Sequence, residues 1–105
     1  MNRDAKGVKR EPHLEMYRAI LELKTLDECV NFFDDLCSVT ELRAIEQRYH
    51  VARMLHDGHI YTTILEQTGA SSATISRVNR SLLYGRGSYD IVFGRMDGND
   101  AEVES

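Results

Sequence analysis

The sequence predicts an all-α fold of six helices. Apolar residues recur at helical spacing along most of the 105 residues, and no stretch alternates apolar and polar residues as a half-buried strand does. Glycine and N-capping residues separate the helical segments from one another. With 42% apolar residues the chain can build one modest core, which predicts a single domain.

The two ends of the chain are expected to lie outside this domain. Residues 1–12 are basic and carry no apolar pattern, so we expect a mobile basic arm there. Residues 97–105 are acidic, and we expect them to form a frayed tail. The folded helical domain is expected to occupy residues 13–96.

Two helices with wide apolar surfaces are predicted at the start of the domain. The first spans about 13–24 after Pro12, and the second spans about 26–37 with Thr25 and Glu28 as a capping box. Their apolar residues cover roughly 160–180° of each helix, whereas a simple surface helix shows about 100°. One small chain has few elements to cover both helices, so the pattern favours a homodimer.

A long central helix is predicted next. Ser38 and Glu41 form a second capping box, and the helix is expected to continue to about His56, with Gly58 ending it. One apolar face is predicted to carry Leu42, Ile45, Tyr49, Ala52 and Leu55. A last short helix is expected through residues 91–93, with Ser88 as its N-cap.

The most informative stretch is residues 61–84, YTTILEQTGASSATISRVNRSLLY. It predicts a short helix over 61–68, a turn at Gly69 and a second helix over about 72–83, with Ser71 or Ser72 as the N-cap. Apolar residues fall where the inner faces of the two helices must pack, at Ile64, Ala70, Ile75 and Val78. The spacing is that of a helix-turn-helix.

The opposite face of the second helix suits the major groove of DNA. It is small and polar at its start and basic further along, and residues 71–86 contain no acid. We expect phosphate contacts from Thr62, Thr63 and the backbone near Gly69. We expect contacts with base edges from Ser71, Ser72, Ala73 and Ser76, and contacts with guanine or phosphate from Arg77 and Arg80. The alternative interpretation is a solvated surface helix after a helical hairpin.

The distribution of charge is compatible with a nucleic-acid partner although the formal net charge is −4. Residues 22–41 hold six acids and one base, whereas residues 59–95 hold four arginines and two acids. Affinity for phosphate depends on the local potential more than on the total charge. The acidic part leaves a second hypothesis open, a dimeric helical adaptor that binds a protein and whose helix-turn-helix is vestigial.

No pattern indicates catalysis or a metal site, so we expect neither. The chain has no nucleophile elbow, phosphate loop or paired-carboxylate arrangement. Cys29 and Cys37 would lie about 12 Å apart along one helix, too far for a disulfide, and are expected to be core thiols. His56 and His59 lack further ligands for zinc. The first twelve residues contain no apolar run, which predicts a cytoplasmic protein without a membrane segment.

Three stretches together resemble the Trp repressor family, and within it the small Trp-repressor-like YerC/YecD branch. They are FFDDLCSVTEL at 32–42, EQRYHVARML at 46–55 and TGASSATISRV at 68–78, and the resemblance covers about residues 26–90. It implies an intertwined homodimer in which the N-terminal helices of two chains interlock. It also implies that two reading helices are presented side by side to double-stranded DNA.

The resemblance implies a candidate effector pocket as well. In the Trp repressor two arginines sandwich the indole of bound tryptophan, and their positions match Arg48 and Arg77, while assisting hydroxyls match Ser38 and Ser81. The residue after the second arginine is glycine in the repressor and Val78 here, which fills space beside the pocket. We therefore favour the alternative, in which Arg48 makes a surface ion pair and Arg77 contacts phosphate. No cofactor is expected, and the effector is left open.

The leading hypothesis is a sequence-specific DNA-binding transcriptional regulator, of the repressor type, that reads the major groove with its helix-turn-helix.

Overall fold

A computed structural model describes residues 10–98, and within this range it contains six α-helices and no strand, as the sequence predicts. The helices are α1 (Leu14–Ile20), α2 (Leu26–Leu36), α3 (Val39–His56), α4 (Tyr61–Thr68), α5 (Ser72–Tyr84) and α6 (Ser88–Met96). The predicted arm at residues 1–12 falls outside the described residues up to residue 9, and the predicted tail at 97–105 falls outside them from residue 99 onward. None of the described helices has the length and apolar composition needed to cross a membrane.

Two helix boundaries differ from the prediction, each for a local reason. The first helix ends at Ile20 instead of about 24, because Glu22 and Leu23 donate to carbonyls only three residues back, which tightens and closes the last turn. Ser88 is not the N-cap of α6 but its first residue. Gly87 takes the N-cap position with a φ of 77°, a conformation that glycine adopts without steric cost.

The start of α2 is capped from both directions. The hydroxyl oxygen of Thr25 accepts a hydrogen bond from the backbone N–H of Glu28 at 3.0 Å, as a capping box requires. The carboxylate of Glu28 reaches back to the N–H of Lys24 at 2.8 Å, one residue before the usual partner in that motif. The predicted cap is therefore confirmed at Thr25, and its return bond lies one position earlier.

The described residues up to Ser38 form one compact unit, and those from Val39 onward form a second. In the first unit neither α1 nor α2 contains a buried residue. Cys29 and Cys37 are free thiols and are only half-buried. Large apolar side chains are exposed along both helices, at Leu14, Met16, Tyr17, Leu21, Leu26, Val30 and Leu36. The wide apolar surfaces predicted for these helices are thus largely uncovered within one chain.

The second unit has a core in which α3 packs against α4 and α5. The buried residues come from all four helices and the α4–α5 turn: Val51, Ala52, Met54, Ile64, Ala70, Ile75, Val78 and Phe93. The face predicted for α3 is confirmed only in part, since Ile45 and Tyr49 are exposed. Val51 and Met54, outside that face, are buried because the C-terminal half of α3 meets several neighbours at once.

Phe93 anchors α6 to α3. Its ring is fully buried, and the rings of Tyr49 and His56 meet it edge-on at centroid distances of 5.7 and 4.8 Å. Tyr89, one turn earlier on α6, stacks on Phe93 at 5.8 Å. Aromatic pairs of this kind stabilise a fold by ~0.5–1.5 kcal/mol each beyond the area they bury. This cluster therefore fixes the last helix to the end of the central one.

A charged group covers the same ring. The guanidinium carbon of Arg53 lies 4.7 Å from the centroid of Phe93, and its nitrogens donate to Asp57 at 3.3 Å and Asp97 at 2.6 Å. The hydrogen bond with Asp97 is the largest of the effects that raise the pKa of Arg53 above its ordinary value. Asp97 follows α6 directly, so this ion pair holds the end of α6 against α3.

Ser71 is the N-cap of α5, which decides between the two serines left open by the sequence. Its backbone is extended, and its side-chain oxygen accepts a hydrogen bond from the N–H of Thr74 at 3.1 Å. Ser72 is the first residue inside the helix and is exposed.

These two neighbouring serines provide a matched pair of substitutions. Ser71→Ala removes the acceptor for the N–H of Thr74 and should lower the free energy of unfolding by about 1 kcal/mol. Ser72→Ala removes a hydroxyl with no role in the cap and should change it by less than about 0.5 kcal/mol. Urea denaturation followed by circular dichroism measures both. Equal losses for the two variants would contradict the assignment of Ser71 as the cap.

Candidate nucleic-acid interface

The site begins at the turn between α4 and α5. Gly69 ends α4 in the left-handed region with a φ of 71°, and its N–H donates to the carbonyl of Leu65 at 3.0 Å. A Cβ atom added at Gly69 would meet nothing within 4 Å. Glycine is therefore needed here for its backbone conformation and not for space, as the sequence indicated.

Thr68 shapes the same turn with its side chain. Its hydroxyl donates to the carbonyl of Ile64 at 2.7 Å and accepts from the N–H of Ala70 at 3.1 Å. The carbonyl of Thr68 accepts a third hydrogen bond from the side-chain amide of Gln47 on α3, at 3.1 Å. The sequence does not predict this role of Gln47, because a single glutamine beside an apolar stripe carries no pattern that distinguishes it from a solvated one.

The predicted inner face of the two helices is confirmed residue by residue. Ile64 and Ile75 are fully buried, Ala70 is 2% exposed and Val78 is 3% exposed. Ala70 lies within the turn, where its burial draws the chain against the core between the helices. α5 is therefore held to the molecule along one side, and its opposite side is free for a partner.

That opposite side carries the residues predicted to contact DNA. Ser71, Ser72, Ala73, Ser76, Arg77 and Arg80 are all exposed, as are Thr62 and Gly69, whereas Thr63 is half-buried. The side chains of Arg77 and Arg80 form no salt bridge with any residue in the described range. The hydroxyl of Ser71 is already engaged with Thr74, both as acceptor from its N–H and as donor to its hydroxyl at 3.0 Å.

The face of α5 is therefore a surface of one sign. No acid lies between residues 71 and 86. Within residues 10–98, neither Arg77 nor Arg80 has a salt-bridge partner that would neutralise it. Small side chains in the first turn of α5 allow its backbone to approach a partner closely, and longer basic side chains follow one to two turns later. Chemically, such a surface can bind a polyanion by counterion release and can donate hydrogen bonds to acceptors in a groove.

The residues of the candidate effector pocket are all exposed: Ser38, Arg48, Arg77 and Ser81. Ser38 belongs to the first compact unit and the other three to the second. Val78, by contrast, is almost fully buried beside Arg77 and fills the space that a glycine would leave. A concavity of 340 Å³ lies between α5 and α6, and Ser81 alone of the four lines it. No group of three histidine, cysteine or acidic side chains able to hold a metal occurs among the described residues.

Comparison with known proteins places this geometry in a family. The sequence pattern of the Trp repressor protein family matches residues 13–97. The chain is 46% identical over 91 residues to the uncharacterized protein YerC of Bacillus subtilis strain 168, covering 87% of this chain and 88% of YerC.

Solved structures agree. A TrpR-like protein from Eubacterium eligens is 51% identical, with a TM-score of 0.78 over 80% of this chain and 87% of its own. A Staphylococcus aureus protein described as a candidate Trp repressor is 48% identical, with a TM-score of 0.77 over 79% of this chain and 83% of its own. The chain therefore belongs to the Trp repressor family, which is a family of DNA-binding regulators.

Proposed function

We propose that the protein is a sequence-specific DNA-binding transcriptional regulator, of the repressor type, that reads the major groove with α5. The observation that carries this proposal is the acid-free outer face of α5, with two exposed arginines that have no ion-pair partner in the described chain. A helix held only along its inner side by Ile75 and Val78 presents this face without obstruction.

The roles of individual residues follow from their places on α4, on the turn and on the outer face of α5. Thr62, Thr63 and the backbone at Gly69 would bind phosphates and set the orientation on the duplex. Ser72, Ala73 and Ser76 at the start of α5 would face base edges. Arg77 and Arg80 would reach guanine or phosphate. Because the Ser71 hydroxyl already caps α5, we assign it a positioning role and only a secondary contact with DNA.

Arg80 provides the sharpest test of this face. Duplexes are first enriched from a random library with the wild-type protein, and affinities are then measured by fluorescence anisotropy at several salt concentrations. If Arg80 bonds guanine, Arg80→Ala should cost ~1–3 kcal/mol and relax specificity at one base pair. If it contacts phosphate, all duplexes should weaken alike and the salt slope should flatten by about one unit.

Two further variants complete this test. Ser72→Glu places a negative charge against the groove and should weaken binding more than Arg80→Ala does. Arg43→Ala removes an exposed arginine of α3, a helix that carries none of the residues assigned to DNA contact, and should weaken binding less than Arg80→Ala does. Unaltered binding by both Arg80→Ala and Ser72→Glu would exclude this face as the reader. A wild-type protein that bound no duplex even at low salt would favour the helical adaptor, whose acidic first unit would bind a protein.

We also propose that the protein acts as an intertwined homodimer in the cytoplasm. Leu21 is 82% exposed, Leu26 is 79% exposed and neither α1 nor α2 has a buried residue within one chain. Soluble monomers rarely expose apolar surface on this scale. A second copy related by a two-fold axis would cover the same surface on both chains and would present two reading helices to one duplex.

Val30 and Asn31 test the dimer with the same introduced charge at neighbouring positions. Val30 is half exposed in the single chain, so Val30→Asp buries no charge there, but it would bury an unpaired carboxylate in the dimer, at a cost of several kcal/mol. Sedimentation velocity at micromolar concentration should show this variant dissociated or unfolded. Asn31→Asp should remain dimeric. A folded wild-type monomer at that concentration would rule the dimer out.

We do not propose tryptophan as an effector, and we expect the dimer to bind DNA without any effector. The buried side chain of Val78 occupies the place of the glycine that borders the indole in the Trp repressor, and displacing it would cost ~1–3 kcal/mol. A micromolar ligand would thereby weaken to roughly ten-micromolar or worse. Isothermal titration calorimetry with L-tryptophan should detect no micromolar binding to the wild type, and tighter binding to Val78→Gly. Micromolar affinity for the wild type would contradict this.

A further inference from the structure

We infer that Gln47 of α3 is a positioning residue. It fixes the position of α5, the reading helix, relative to α3 and so contributes to discrimination between DNA sequences. The inference rests on the proposed DNA-binding function. It concerns a residue that need not touch DNA, since it acts through the turn between α4 and α5.

The carbonyl of Thr68 has no hydrogen-bond donor within its own helix. Thr68 is the last residue of α4, so no N–H of that helix lies beyond it to pair with its carbonyl. The side-chain amide of Gln47 donates to this oxygen at 3.1 Å, across 21 residues of sequence. Both residues are half-buried. The bond therefore satisfies a helix-end group that the short α4 cannot satisfy by itself.

A second hydrogen bond of Thr68 and the backbone of the turn connect this point to the reading helix, α5. The hydroxyl of Thr68 accepts from the N–H of Ala70 at 3.1 Å. Ala70 is buried and directly precedes Ser71, the N-cap of α5. The chain of contacts thus runs from Gln47 through Thr68 and Ala70 to the first turn of α5. A change at Gln47 is transmitted to the residues placed against base edges.

The nature of the contact explains why it bears on specificity. The apolar core holds α4 and α5 against α3, but apolar contacts are weakly directional and allow small rotations. The amide-to-carbonyl bond is directional and fixes the position of one atom at the helix end. Non-specific binding depends mainly on charge, whereas base readout depends on the placement of short side chains in the groove. Loss of the hydrogen bond between Gln47 and Thr68 should therefore weaken base readout more than it weakens non-specific binding.

The test compares Gln47→Met with Gln67→Met. The first variant keeps the length of the side chain and removes the donor, and the second makes the same change at an exposed glutamine on α4. Affinity is measured for a duplex enriched from a random library by the wild type and for a scrambled duplex of the same composition. Gln47→Met should bind the enriched duplex about three- to tenfold more weakly, the loss expected for one hydrogen bond. Binding to the scrambled duplex should change less than about twofold.

Amide hydrogen exchange gives a readout independent of DNA. In Gln47→Met, exchange at Gly69 and Ala70 should accelerate by a similar factor, while exchange at Val51 in the core stays unchanged. An equal loss on both duplexes would overturn the positioning role, because it would indicate fewer folded molecules or a lost phosphate contact. No change in either affinity would also overturn it. Wild-type protein that enriched no duplex would instead remove the proposed function, and the inference with it, whatever the exchange data show.

Discussion

The presentation of α5 depends on the burial of Ile64 and Ile75 in one cluster with Val51 of α3. Both isoleucines are fully buried, and each fully buried side chain of this kind contributes ~1.5–3 kcal/mol to folding. α4 has only eight residues and could not persist in water alone, so its helical form is a product of this packing. Without that cluster the outer face of α5 would have no fixed orientation.

Directional contacts in the second unit fix positions that the apolar core alone would hold less exactly. Gln47 and Thr68 hold the turn before α5. Phe93 and Arg53 hold α6 to α3 through ring contacts and an ion pair with Asp97. The buried cluster is apolar, and the hydrogen bonds and the ion pair lie at half-buried or exposed residues around it. This division lets a small core be tight and still orient a helix at its surface.

Much of this arrangement was predictable from the sequence, for reasons visible in single residues. Ile64, Ala70, Ile75 and Val78 were found because a helix pair around a glycine turn constrains apolar spacing strongly. The burial of Val51 and Met54 was not, because it depends on helices distant in sequence surrounding α3 on several sides. The Gln47 bond spans 21 residues and has no local signature. The exposed arginines were predicted by the absence of acids nearby, while the contacts they make with DNA stay predictions.

The uncovered surfaces of α1 and α2 have a consequence for how the protein responds to its own abundance. These helices have seven and eleven residues, below the ~12–15 at which isolated helices become even marginally stable in water. If a second copy covers them, their folding is coupled to association, and the amount of competent protein rises with the square of the chain concentration at low expression. A change of about twofold in synthesis would then change the amount of assembled regulator by about fourfold while most chains are dissociated.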